Sequence, residues 1–228
     1  ELGSGLVGSE MCIRDSFIEL AHKGSLTYTV SAQGVAAHSS MPEIGKNAID
    51  SLLTFYQKQQ AYFATITDKK NPVLGATVPV VTLIQGGEQI NTVPASASIS
   101  VKIRTIPEVP NTKLAADIQQ LIDELNANGE QLSLDIHSNL YPVHTADDAP
   151  VVKAAKEIGE TDLQQVLPLI GVPGGTDASS FVAVNPDIDV VVFGPGNITA
   201  HQVNEYVDLD MYHRFITIYE KMITRLLA

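Results

Sequence analysis

Positive charge and cysteine are what this sequence has least of. Lysine and arginine number 14 against 26 aspartates and glutamates, a formal net charge of −12. Nucleic acid and anionic membrane both require a basic face, so neither is expected as a main partner. The single cysteine, Cys12, excludes an internal disulfide and fits a reducing, cytoplasmic setting. No apolar run is long enough to span a bilayer. The amino terminus lacks a basic region followed by an apolar core, so no secretory signal is read there. What is present is ordinary for a globular chain. Hydrophobic residues make up 44% and charged residues 18% of 228 positions, enough for one large domain or two small ones.

Residues 1–16 show no period and share no pattern with the segment after them, so they read as a non-native or disordered leader. Order begins at Leu26–Val30, which alternates with β-branched and aromatic residues and predicts a strand. Gly34–Glu43 is a loop carrying His38, and Asn47 opens a helix with Ala48, Leu52, Phe55 and Tyr56 at helical spacing. After a break at Lys69–Pro72, Val78–Ile84 and Ala95–Ile106 predict two more strands. In the second, Ile99, Val101 and Ile103 share one face, and Ser98, Ser100, Lys102 and Arg104 the other. Asn111 or Thr112 is the expected N-cap of a helix through Leu114, Ile118, Leu121, Ile122 and Leu125. Leu132–Ile136 closes the series. The order β-α-β-β-α-β is that of a ferredoxin-like sandwich, two helices on one face of an antiparallel sheet.

After Tyr141-Pro142 the texture changes. Asp148-Ala149-Pro150 is expected to cap a helix to about Ile158, and Val166–Ile170 to form a short strand. Asp177 should cap a short helix, Ala178 to about Val184. Val190–Phe193 reads as a strand covered on both faces, emptying into Gly194-Pro195-Gly196 and delivering His201. Ligands in open α/β sheets sit just past such strand ends. Asp208–Leu227 is a long amphipathic helix. This α-β-α-β-α run reads as the end of a larger, mostly parallel α/β domain. The expected organisation is a leader (1–16), an α+β domain (17–142) and part of an α/β domain (143–228).

Taken singly, the candidate functional residues are weak signals. His38 and His201 could be metal ligands, proton carriers or ordinary loop histidines. Asn91 could simply turn the chain, and Arg104 could be a solvated strand residue. Gly174-Gly175-Thr176-Asp177 could hold an anion on its backbone N–H groups or only cap a helix. In combination they are specific. Ala37-His38-Ser39-Ser40-Met41-Pro42-Glu43 through Ile49 resembles the dimerisation-domain motif of the dinuclear-zinc aminoacylase and carboxypeptidase family, which includes desuccinylases and deacetylases. The Gly86-Gly87 to Pro94 segment with Asn91, the Arg104 strand, Gly174–Asp177, and Gly194–Gly196 with His201 and Glu205 resemble the same family's later motifs.

The resemblance implies a zinc-dependent amidohydrolase or metallopeptidase acting on N-acyl amino acids or small peptides. It implies a lid or dimerisation domain (17–142), a homodimer formed through that lid, and two zinc ions in the complete enzyme, with cobalt or manganese as substitutes. His201 would be the last zinc ligand, with Glu205 supporting the site. His38 would reach across the dimer and donate to the oxyanion of the tetrahedral intermediate. Asn91, Arg104 and the Gly175-Thr176 backbone would hold the substrate carboxylate, to which an arginine fork is well matched. The family's His-x-Asp pair, bridging Asp and Glu-Glu dipeptide are absent from these 228 residues. The expectation is therefore a carboxyl-terminal portion of the enzyme, inactive alone, with the residues after about Tyr141 only marginally folded. The alternative is a non-enzymatic dimerisation or interaction module.

Overall fold

The structure is a computed structural model and describes residues 14–199 and 202–228. In chain order its elements are β1 (Ile18–His22), β2 (Gly24–Gln33), β3 (Ala37–His38), a 3-10 turn (Pro42–Ile44), α1 (Ala48–Ile66), β4 (Lys70–Asn71), β5 (Gly75–Ala76), β6 (Val78–Gly86), β7 (Thr92–Val93), β8 (Ser96–Thr105), α2 (Asn111–Ala127), β9 (Leu132–Leu140), β10 (Val143–His144), α3 (Pro150–Leu163), β11 (Leu169–Val172), α4 (Ala178–Val184) and α5 (Leu209–Leu227). They fall into two compact units. One comprises Ser25–Asn71 and Gly75–Leu140; the other comprises the residues up to Gly24, Pro72–Leu74 and Tyr141–Ala228.

The first unit is built on a four-stranded sheet in the order β6-β8-β2-β9, the ferredoxin-like arrangement. Strict alternation gives the sheet two unlike faces. Leu26, Tyr28, Val30, Ile99, Val101 and Ile103 are fully buried, as are Leu52 and Phe55 of α1 and Leu114, Ile118 and Ile122 of α2. Each such side chain contributes about 1.5–3 kcal/mol by leaving water. Contacts of α1 with β8 and of α2 with β9 put both helices on this apolar face. On the other face Thr27, Thr29, Ser98, Ser100, Lys102 and Arg104 stay exposed or half-buried. Asn47 caps α1 as its sequence predicts, accepting from the Ile49 N–H at 2.9 Å. The start of α2 differs from expectation. Pro110 occupies the cap position, and Asn111 is buried one residue inside. Its amide donates to Asn139 Oδ1 at 2.8 Å and to the Leu140 carbonyl at 2.9 Å. The side chain ties α2 to the end of β9 rather than serving its own helix.

In the second unit β1 lies between β10, antiparallel, and β11, parallel. Helix α3 packs on α5, and the Phe193 ring meets Phe215 edge-on at 4.7 Å. Three expectations are corrected here. Val190–Phe193 is buried, but among the described residues it joins the sheet only through one antiparallel bridge, Glu19 to Val192. The reason is local: the Thr145 hydroxyl donates to the Val190 carbonyl at 2.7 Å and accepts from its N–H at 2.8 Å, removing Val190 from any ladder. Asp148 makes no cap bond; α3 starts from Ala149 and runs on to Leu163. Strand β11 begins at Leu169, and Val166 is 81% exposed. Helix α5 behaves as expected, with Asp208 accepting from the Met211 N–H at 2.8 Å.

Candidate active site

His38 and Asn91 are brought together at one end of the first unit's sheet. The two-residue strands β3 and β7 pair antiparallel, His38 opposite Thr92, and the Ser39 N–H donates to the Asn91 carbonyl at 2.9 Å. This loop closes on the chain because Gly34 has no side chain: a Cβ there would stand 2.1 Å from the Lys46 carbonyl oxygen and 2.9 Å from the Ala48 nitrogen. The β6–β7 connection turns at Gly87, whose φ of +73° lies in the left-handed region. The His38 ring is exposed, and its tautomer is fixed. The Ser40 backbone N–H, which can only donate, points at Nδ1 at 3.2 Å, and the Ser40 hydroxyl lies 2.7 Å from the same atom. Nδ1 is therefore an acceptor, and in the neutral ring the proton sits on Nε2, available to an external oxygen. A cavity of about 210 Å³ adjoins this ladder, lined by Ala36, Glu88, Gln89, Thr92 and Ser96 among others.

Arg104 lies at the opposite end of the sheet. It pairs in register with Val78 and stands eight residues along β8 from Ser96, roughly 27 Å at strand spacing. Within one chain the fold thus separates Arg104 from His38 and Asn91. Gly175 and Thr176 belong to the second unit. Thr176 is 6% exposed, and its hydroxyl accepts from the Ala178 N–H at 3.3 Å, so this threonine rather than Asp177 caps α4. His201 lies outside the described residues.

Two polar residues of β1 went unread in the sequence. His22 is 1% exposed. Its Nδ1–H donates to the Lys23 carbonyl at 3.1 Å, leaving Nε2 to accept from the Thr176 hydroxyl at 2.9 Å. Burial lowers the ring's pKa, in keeping with this neutral tautomer. His22 therefore anchors the Gly175-Thr176 turn from beneath. Glu19 is 2% exposed, and neither carboxylate oxygen has a hydrogen-bond partner; burial pushes its pKa up to about 7. Alternation in Ile18-Glu19-Leu20-Ala21-His22 would have signalled the strand, but two ionisable residues in five mask it.

No group of three or more His, Cys, Asp or Glu among the described residues could hold a metal ion. These residues do not furnish a dinuclear centre. Among them, too, no helix is long and apolar enough to cross a membrane.

Comparison with known proteins bears on the fold. Residues 20–130 match the M20 peptidase dimerisation domain. A probable succinyl-diaminopimelate desuccinylase of Staphylococcus aureus (strain MSSA476) is 37% identical over 233 residues, an alignment covering 90% of this chain and 56% of the relative. Succinyl-diaminopimelate desuccinylase 2 of Shewanella loihica is 28% identical, covering 91% and 55%. The chain thus spans little more than half the length of the curated relatives it matches. Among solved structures, aminopeptidase PepT of Bacillus cereus superposes with a TM-score of 0.69 at 18% identity, over 99% of this chain and 56% of that one. The M20 family metallo-carboxypeptidase Sso-CP2 of Sulfolobus solfataricus gives 0.65 at 19% identity, over 91% and 59%. At these identities the structural likeness speaks to fold alone; the sequence comparisons show that residues 20–130 of this chain are an M20 peptidase dimerisation domain.

Proposed function

We propose that this chain supplies the lid and the carboxyl-terminal part of a metal-dependent amide hydrolase that cleaves N-acyl amino acids or small peptides. The observation that carries the reading is His38, exposed beside Asn91 with its proton fixed on Nε2. A neutral imidazole N–H held in this way is suited to an oxyanion, because it donates without having to be charged and needs no reorganisation as the oxyanion forms. Arg104 would hold the substrate carboxylate; in the other unit the Gly175-Thr176 turn, braced by His22, offers backbone N–H groups for the same kind of anion.

Arg104 lies eight residues, roughly 27 Å, along β8 from Ser96 at the end of the sheet that carries His38 and Asn91, and this separation fits a site shared between two copies, His38 and Asn91 coming from one protomer and Arg104 from the other. The surface for that pairing is β6. It is an edge strand of the four-stranded sheet, and edge strands that are neither covered nor charged invite pairing. Ile84 on β6 is 62% exposed, and Leu53 and Tyr56 of α1 are exposed too; Ile84 and Leu53 line an apolar groove with Ile49 and Leu52.

The test uses the chain fused behind the amino-terminal half of the S. aureus relative. The fusion should hydrolyse N-acyl amino acids in a zinc-dependent way, while the 228-residue chain alone should not exceed free zinc. His38→Ala in the fusion should lower kcat by about 10²–10³ with KM little changed. A folded fusion whose hydrolysis is indifferent to His38 would instead favour an interaction module.

A further inference from the structure

We infer that Ile90 fastens two copies of this chain together beside their shared site, its side chain seating on the surface that Val78, Val80 and Leu83 form on the partner copy. The inference rests on the two-copy reading proposed above. Ile90 and Asn91 are the central residues of the turn Gln89–Thr92, closed by the Thr92 N–H donating to the Gln89 carbonyl at 3.4 Å. Gly, Pro, Asn, Asp and Ser dominate such tips, each for a backbone reason that isoleucine does not share. Ile90 is nevertheless 105% exposed, as bare as it would be in an extended peptide. A local rule broken without any gain inside the chain points to a use outside it.

The complementary surface lies towards the start of β6. Val78 pairs in register with Arg104, Val80 with Lys102 and Leu83 with Ser100. Cross-strand partners share a face, so these three apolar side chains stand on the face that carries no helix. All three are exposed, and they form an apolar strip along the rim of a face otherwise built of Thr, Ser, Lys and Arg. The strip is separate from Ile84, which pairs with the buried Ile99 and so lies on the helix side of the same edge.

Two-fold symmetry brings the tip and the strip together. A strand edge that pairs with its own copy about a two-fold axis does so antiparallel, and every contact is made twice. The end of β6 in one copy therefore lies beside the start of β6 in the other. Ile90 comes four residues after the end, Gly86, and Val78 is the start. Seating Ile90 also orders the shared site. Asn91 is the next residue of the turn, its carbonyl accepts from the Ser39 N–H at 2.9 Å, and Ser39 follows His38. On the other copy Val78 stands opposite Arg104. Ile90 is thus a positioning residue: it sets Asn91 and His38 of one copy against Arg104 of the other.

Sedimentation equilibrium of the full chain tests the seat. Ile90→Ser and Val78→Ser should each raise the dimer Kd about tenfold or more, since each truncation strips apolar contact from both symmetric seats. The double variant should be scarcely weaker than the worse single variant, because the two substitutions remove one and the same contact. Ile90→Leu, which keeps the apolar bulk, should associate as the wild type does. Ile90 is wholly exposed, so a weaker dimer in Ile90→Ser does not come from unfolding. An unchanged Kd in Ile90→Ser, or losses in the two single variants that simply add, would overturn the seat. Coupling between Ile90 and Val78 together with a Kd indifferent to Ile84→Lys would uphold the seat and overturn the part given to Ile84. A chain that stays monomeric at millimolar concentration would overturn both.

Discussion

Replacing Glu19 by glutamine should stabilise the second unit, and by an amount that depends on pH. In the folded chain burial raises the carboxyl from its ordinary value of 4.5 to about 7. Below pH 4.5 both the folded and unfolded states hold the proton, and Glu19 carries no ionisation penalty. As pH rises from 4.5 towards 7 the unfolded chain ionises freely while the folded chain does so only at a cost, so stability falls across that window and levels off above it. A displacement of some 2.5 pH units corresponds to about 3 kcal/mol at most. Glutamine keeps the shape and removes the ionisation. The difference between variant and wild type should therefore be small at pH 4.5 and grow by up to about 3 kcal/mol by pH 7.5. Hydrogen exchange at Leu20–His22, with urea unfolding at each pH, reads this unit specifically. A difference that stayed flat from pH 4.5 to 7.5 would refute the reasoning, because it would mean that Glu19 ionises as easily folded as unfolded.

Other consequences are equally concrete. Thr145→Val removes both bonds to Val190 and leaves a buried N–H and C=O unpaired; urea titration should show a loss of about 2–4 kcal/mol. Gly34→Ala forces a Cβ onto the Lys46 carbonyl and should destabilise the first unit by about 3 kcal/mol, shifting the His38 signals in NMR spectra. Ile84→Lys at the β6 edge should weaken self-association more than tenfold by analytical ultracentrifugation without unfolding the sheet. Amides of Leu26–Ile136 should exchange more slowly than those after Tyr141. The first belong to a continuous four-stranded ladder, whereas the second unit leaves Val166, Val184, Ile198 and Val203 bare.

The first unit was largely legible in the sequence because its signals are local. Alternation in β2 and β8, helical spacing in α1 and α2, and Asn47 as a cap all act within a few residues. Three of the misreadings share one cause, a side chain recruited by a distant partner. Asn111 serves β9 rather than the start of α2, Thr176 rather than Asp177 caps α4 while bonding to His22, and Thr145 takes the backbone groups that would have made Val190 a strand residue. Strand β1 was hidden because burial of Glu19 and His22 cannot be inferred from their type. The candidate site divides in the same way. The closeness of His38 and Asn91 follows from two loops with recognisable turn residues, but the separation of His38 from Arg104 depends on Arg104 lying at the far end of β8 from the β3–β7 pair, and that appears only once the strands are in register.

The claim that matters most is that two copies share each site, and complementation measures it directly. In the zinc-dependent fusion, His38→Ala and Arg104→Ala homodimers should each be nearly inactive. Mixed and allowed to exchange subunits one to one, they should regain up to about a quarter of wild-type activity, since half the dimers are mixed and each mixed dimer has one intact site. No recovery on mixing, with subunit exchange verified, would mean that each chain supplies its own His38 and Arg104 to a single site, and the shared-site account would be wrong.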